Sequence, residues 1–114
     1  MWYTCSLLFK ALHERSPESD PVCEERFLLV EAESEATARL VAEESGRSGE
    51  HKYHVSKVDD DVLKWIFAGV QKVYAIEDET LRSGTELFSR FVPQSMADQL
   101  RQPFAGSPGR RSLE

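Results

Sequence analysis

His51-x-x-His54 is the first place in this chain where side chains could hold a metal. On a helix the pair would share a face. On a strand, residues three apart point to opposite faces. No cysteine or carboxylate stands at zinc-site spacing beside them, so exposed strand histidines are expected and no metal. Asp59-Asp60-Asp61 lacks the glycine and terminal glutamate of a calcium loop and reads as a solvated turn. Cys5 and Cys23 are the only thiols. If the first two strands fold about residue 17, Cys5 faces Leu28 and Cys23 faces Lys10. That leaves the thiols about five residues apart along the strands, roughly 16 Å, beyond disulfide reach. Neither has a base or helix N-terminus close by in the sequence to make it a nucleophile. Glu86, Ser89 and Arg90 form the most interesting polar set. Ser89 has no nucleophile-elbow motif. Arg90 could anchor an anion beside Trp65, or Glu86 and Arg90 could join a salt-bridge ladder with Lys64 or Lys72. The six glycines are scattered and form no phosphate loop. Arg110-Arg111 is too small a basic cluster to suggest nucleic-acid binding.

The elements that must position these residues follow from periodicity. In residues 2–11 one parity (Tyr3, Cys5, Leu7, Phe9, Ala11) is apolar, which predicts a half-buried strand. Residues 13–22 are a polar loop with Pro17 and Pro21. Residues 24–32 are a second strand around Phe27-Leu28-Leu29-Val30. Ser34 is an expected N-cap for a helix over 35–45, with Glu35 in its first turn and Gly46 as its stop. Ala36 and Leu40 lie on one face, with Val41 and Ala38 flanking it, and the small alanines suggest close packing on a sheet. Residues 51–58 are a weaker strand. Residues 62–76 are the strongest strand signal, apolar in both parities, and long enough to require a bulge or bend near Gly69. Residues 85–92 are read as a last strand ended by Pro93. A short helix is expected over 95–102, with Met96 and Leu100 on one face, within a C-terminal segment spanning 93–104. The tail, 105–114, is expected to be disordered, its Leu113-Glu114 resembling a cloning scar.

The fold class is therefore α+β: a mainly antiparallel sheet of about five strands in the order β-β-α-β-β-β, with one principal helix on one face. One domain over residues 1–92 fits the length of 114 residues. A single helix covers one sheet face. Trp65, Phe67 and Trp2 then need cover from Phe91–Phe104 or from a second subunit, and an uncovered aromatic patch would be an interaction surface.

Charge adds a second surface. The net charge is −6, and all of it lies in residues 1–50, which hold eleven acids and five bases. Residues 51–114 are balanced. This disfavours nucleic acid as a partner, most firmly at the helix, which carries Glu35, Glu43 and Glu44. No apolar run reaches the roughly 20 residues of a membrane span. The start of the chain has no basic-then-apolar leader, and with reduced thiols this points to the cytoplasm.

Trp65-Ile66-Phe67-Ala68-Gly69-Val70, then Tyr74, then Gly84-Thr85-Glu86-Leu87-Phe88-Ser89-Arg90 resembles the signature of a bacterial family, domain-of-unknown-function family 4288. The opening Trp2-Tyr3 and the acidic strand-to-helix step Glu31-Ala32-Glu33-Ser34 match its pattern too. Leu87 and Phe88 replace the family's Val and Tyr, which removes any role for a tyrosine hydroxyl there. The resemblance covers residues 2–92 and implies a small cytoplasmic bacterial protein with no assigned reaction.

Three readings follow. The first is a non-catalytic interaction module without a cofactor, associating with itself or with another protein through an aromatic sheet face, with Trp2, Trp65 and Phe67 in it. The second is a small-molecule-binding or enzymatic domain with a pocket near Trp65, Glu86 and Arg90. The third is an immunity-like or regulatory protein presenting Glu35, Glu43 and Glu44 to a basic partner.

Overall fold

The computed structural model describes residues 1–15, 19–56 and 61–101. Among them, strand β1 (Trp2–His13) is followed by β2 (Cys23–Glu31), helix α1 (Glu35–Ser48), β3 (His51–Ser56), β4 (Asp61–Ala75) and helix α2 (Gln94–Arg101). The strands form one sheet in the order β2-β1-β4-β3, antiparallel throughout. Among the described residues the fold is α+β with four strands rather than the expected five.

The alternation in β1 has the expected cause. Tyr3, Cys5, Leu7, Phe9 and Ala11 are all buried on the face that α1 covers. The other parity holds Thr4 and Ser6, which are also buried but polar. Both are satisfied: the Thr4 hydroxyl donates to the Leu87 carbonyl, and the Ser6 hydroxyl donates to Glu25 Oε2 at 2.9 Å. In the β1–β2 pair Cys5 faces Leu28 and Cys23 faces Lys10, so the thiols are separated as their spacing predicts.

Helix α1 starts where expected. The Ser34 side chain accepts the Thr37 N–H at 3.2 Å. Its packing face and its end differ from the sequence reading. The buried stripe is Ala38, Ala42 and Gly46, while Leu40 and Val41 are exposed. Small residues four apart let the helix lie close to the sheet. Gly46 is not the stop but part of the buried stripe, with the Phe67 ring in the space beside it. The helix runs to Ser48, and Gly49 closes it by donating its N–H to the Ser45 and Gly46 carbonyls, each at 3.0 Å.

Strand β4 bends as its length demands. Its pairing with β1 slips twice, between Phe67 and Gly69 and again between Val70 and Lys72. Gly69 has φ 137°, a conformation other residues rarely adopt. The slips place Val70 and Val73 on the same face as Trp65 and Phe67. Trp65 and Phe67 therefore pack beneath α1, in the core cluster, and are not the uncovered face expected of them. Phe67 meets Phe9 at 5.6 Å between ring centroids, and Arg26 lies 4.0 Å over the Phe9 ring.

β3 pairs only with residues 61–65 of β4, so the rest of β4 has an open edge. Two side chains bond to that stretch. Glu50 Oε2 accepts the Phe67 N–H at 2.8 Å, and Arg39 Nη1 donates to the Val70 carbonyl at 3.5 Å. This limits the edge as a template for further pairing.

Residues 85–92 are irregular rather than a fifth strand. Strand β1 already has a neighbour on each side, so the segment meets the sheet through its outer face. Phe88 sits between Phe27 and Tyr74, at 5.8 and 5.6 Å between ring centroids, with Lys72 Nζ 5.6 Å from its own. The cover of the outer face thus comes from Leu87 and Phe88, ahead of the expected Phe91–Phe104. Phe91 itself is fully exposed. The C-terminal helix is present, as α2, and packs against no other strand or helix of the described chain. The tail beyond residue 101 and Asp59-Asp60 lie outside the described residues.

Candidate functional site

The sequence-derived candidates do not converge. Trp65 is half-buried on the α1 face, beside β3. Glu86 lies against the outer face, where its Oε2 accepts the Tyr74 hydroxyl at 2.8 Å. Trp65 and Tyr74 are nine residues apart on β4, roughly 25–30 Å at the usual strand rise. Arg90 is exposed beyond Phe88 and forms no ion pair among the described residues. The ladder with Lys64 or Lys72 is absent: Lys72 lies over the Phe88 ring, and Lys64 Nζ is 4.0 Å from Glu14. Trp2 is half-buried at the start of β1, opposite Glu31. Glu35 and Glu44 are exposed on α1 and Glu43 is half-buried, none of them ion-paired among the described residues.

His51 and His54 are both exposed and sit on opposite faces of β3, opposite Trp65 and Val62 respectively. Among the described residues no group of three His, Cys, Asp or Glu side chains could hold a metal ion.

Several concave places lie among the described residues; one, of about 440 Å³, is lined by Met1, Ile76, Glu77, Asp78 and Glu79, and three others lie nearer the candidate side chains. The first is an apolar groove of about 410 Å³ on the outer face, lined by Thr4, Phe27, Leu28, Leu29, Leu87 and Phe88. Phe27, Leu29 and Leu87 are each about half exposed there. The second, about 270 Å³, lies at the start of β3 beside β4 and is lined by Glu50, His51, Lys52, Lys64, Trp65 and Ile66. The third, about 90 Å³, is polar and lies among Tyr74, Glu77, Asp78 and Glu86.

One polar cluster had no local signal in the sequence. Asp61 begins β4 as a buried residue, not as part of a solvated turn. Its carboxylate accepts the Arg15 N–H at 2.8 Å and the Val62 N–H at 3.0 Å, and His13 Nδ1 lies 2.8 Å from it. The Arg15 N–H first, then the His13 ring, hold the carboxyl below its ordinary value against the opposing effect of burial. The Glu14 N–H donates to the Val62 carbonyl at 3.0 Å. Together these bonds tie the end of β1 to the start of β4. The partners are 46 and 48 residues apart, which is why spacing alone does not reveal them.

Cys5 is buried against α1, and desolvation raises its thiol pKa although the Arg39 charge opposes this. A raised thiol is a poor nucleophile at neutral pH. No helix of the described chain is long and apolar enough to cross a membrane.

Comparison with curated proteins and with solved structures finds no match. Comparison with families does, and the matched span is informative. It begins at the first residue of β1, takes in all four strands and α1, and ends at Ser89, one residue past the ring that covers the outer face. The covering segment therefore belongs to the shared unit, and α2 lies beyond it. On this match over residues 2–89, the chain belongs to the family described as Domain of unknown function (DUF4288).

Proposed function

We propose that this chain is a non-catalytic interaction module of the bacterial cytoplasm that associates with a second copy of itself. The observation that carries the reading is α2. Met96 and Leu100 lie four apart on it, Leu100 and the preceding Phe91 are largely exposed, and the helix packs on no other strand or helix among the described residues. An eight-residue helix is too short to be stable alone in water and gains its stability from packing. The outer-face groove offers complementary surface: half-exposed Phe27, Leu29 and Leu87 around an apolar concavity. Reciprocal seating of each arm on the partner's groove would bury both patches and close as a two-fold dimer.

The contact surface differs from the one first expected. Trp65 and Phe67 are beneath α1, and the exposed apolar residues of the outer face and of the arm are Phe27, Leu29, Leu87, Phe91, Met96 and Leu100. The wide separation of Trp65 from Glu86 gives the pocket reading no common cavity. Sedimentation equilibrium tests the proposal. A dimer that dissociates in Phe91→Ser with Leu100→Ser supports it. A monomer at all concentrations up to about 200 μM overturns it, as does a dimer indifferent to both substitutions.

A further inference from the structure

The outer edge of β3 carries a second surface. β3 ends the sheet, and nothing among the described residues pairs with its far side. Its side chains His51, Lys52, Tyr53 and His54 are exposed and include no acid. The preceding acid, Glu50, is committed to the Phe67 N–H. On the outer face Lys52 stands directly opposite Lys64. Like charges in that position destabilise a sheet. Lys64 has one long contact, 4.0 Å, to Glu14, and Lys52 has no carboxylate partner among the described residues. A like-charge pair with only one long carboxylate contact among the described residues points to a group supplied from outside.

The opposite face of the same strand is different in kind. His51 and Tyr53 stack with ring centroids 6.0 Å apart and planes 16° apart, and His51 stands opposite Trp65. The groove of about 270 Å³ at the start of β3 is lined by Lys52 and Lys64 and by His51 and Trp65. An added strand would have its main chain bonded to β3 and its side chains alternating between the two faces. Carboxylates at one parity would meet Lys52 and Lys64. Apolar side chains at the other would meet the rings.

From this we infer that β3 accepts an extended peptide strand in which acidic and apolar residues alternate. The inference concerns a surface separate from the α2 arm.

The test uses the full chain and fluorescein-labelled peptides. The probe alternates glutamate and valine over seven residues. One control alternates lysine and valine, and two others carry N-methyl groups on alternate residues of the acidic probe, one in each register. Fluorescence anisotropy measures affinity, and hydrogen exchange locates the site. Saturable binding of the acidic probe is expected, at least about tenfold tighter than that of the lysine control. It is expected to weaken about tenfold or more in Lys52→Glu with Lys64→Glu, and to protect amides within His51–Ser56. At least one N-methylated probe should fail, since one register blocks the ladder. Lys52→Gln, a milder change at an exposed site, should weaken binding in the same direction, and thermal melts should show both variants folded. No saturable binding at 1 mM probe overturns the inference. So does binding that ignores charge, binding that survives both N-methylated registers, or protection confined to residues outside β3. Repeating the titration with Phe91→Ser and Leu100→Ser separates this surface from the arm: affinity for the probe should be unchanged, and its loss there would overturn the β3 assignment.

Discussion

The Phe67 ring lies where a side chain on Gly46 would have to go: a β-carbon at Gly46 would stand 2.3 Å from the ring's Cε1. The ring has little freedom to yield, because Phe9 packs against it. In an open helix Gly→Ala is stabilising by up to about 1 kcal/mol. Here overpacking costs about 1–3 kcal/mol and should win. Gly46→Ala is expected to lower stability by about 1–2 kcal/mol in urea melts, and Phe67→Leu in the same chain should recover part of the loss. A more stable Gly46→Ala protein would contradict the packing described.

Asp61 should give the fold an acid-sensitive latch. Its carboxyl is held below the ordinary aspartate value by the Arg15 N–H and by His13. A folded value below the unfolded one, about 3.9, means stability that is fully present above the unfolded value. That stability is lost as pH falls through the folded value. Asp61→Asn should therefore flatten the dependence of urea-melt stability on pH below about pH 4, where the parent is still losing stability. Equal slopes in the two proteins would show that the latch does not titrate.

The two thiols should differ sharply in reactivity. Cys23 is exposed, and Cys5 is fully buried with its pKa raised by desolvation. Iodoacetamide on the native protein should label Cys23 alone, and denaturant should release Cys5. Rapid native labelling of both would place Cys5 outside the core.

Phe88 carries the cover of the outer face. Its contacts are Phe27, Tyr74 and the Lys72 side chain. Fully buried Phe→Ala changes cost about 3–5 kcal/mol. Phe88 is only half-buried, so about 1–2.5 kcal/mol is expected. Limited proteolysis should also show faster cleavage within residues 85–92 of Phe88→Ala. Unchanged stability and cleavage would mean that the segment is held by other contacts.

Much of the frame was legible because it depends on local pattern. The alternation in β1, the Ser34 cap and the Cys5–Leu28 register follow from neighbours in sequence or from one hairpin. The faces of β4 were not, because strict parity sets Val70 against Phe67, and the two slips reunite them. The need for a bend at Gly69 was readable, but its effect on the faces was not. In α1 the close packing of small alanines was readable, but the stripe is centred on Ala38-Ala42-Gly46 rather than on Ala36 and Leu40, because Gly46 matters only once Phe67 is in place. Leu87 and Phe88 have strand-like chemistry, yet whether they pair at an edge or lie across a face depends on which edges are occupied. For the candidate surfaces, the juxtaposition of Lys52 on β3 with Lys64 on β4 required the β3–β4 register.

The Thr4 hydroxyl bonded to the Leu87 carbonyl joins residues 83 apart in the chain. Strands and helix can assemble as soon as residues 1–75 have been synthesised. The outer face then stands bare until residues 87 and 88 emerge, with Phe27, Leu29 and Tyr74 open to any sticky neighbour. Contacts this distant in sequence form late and slowly. The interval between sheet assembly and the arrival of Phe88 is therefore when a nascent chain is most exposed to aggregation and most in need of a chaperone.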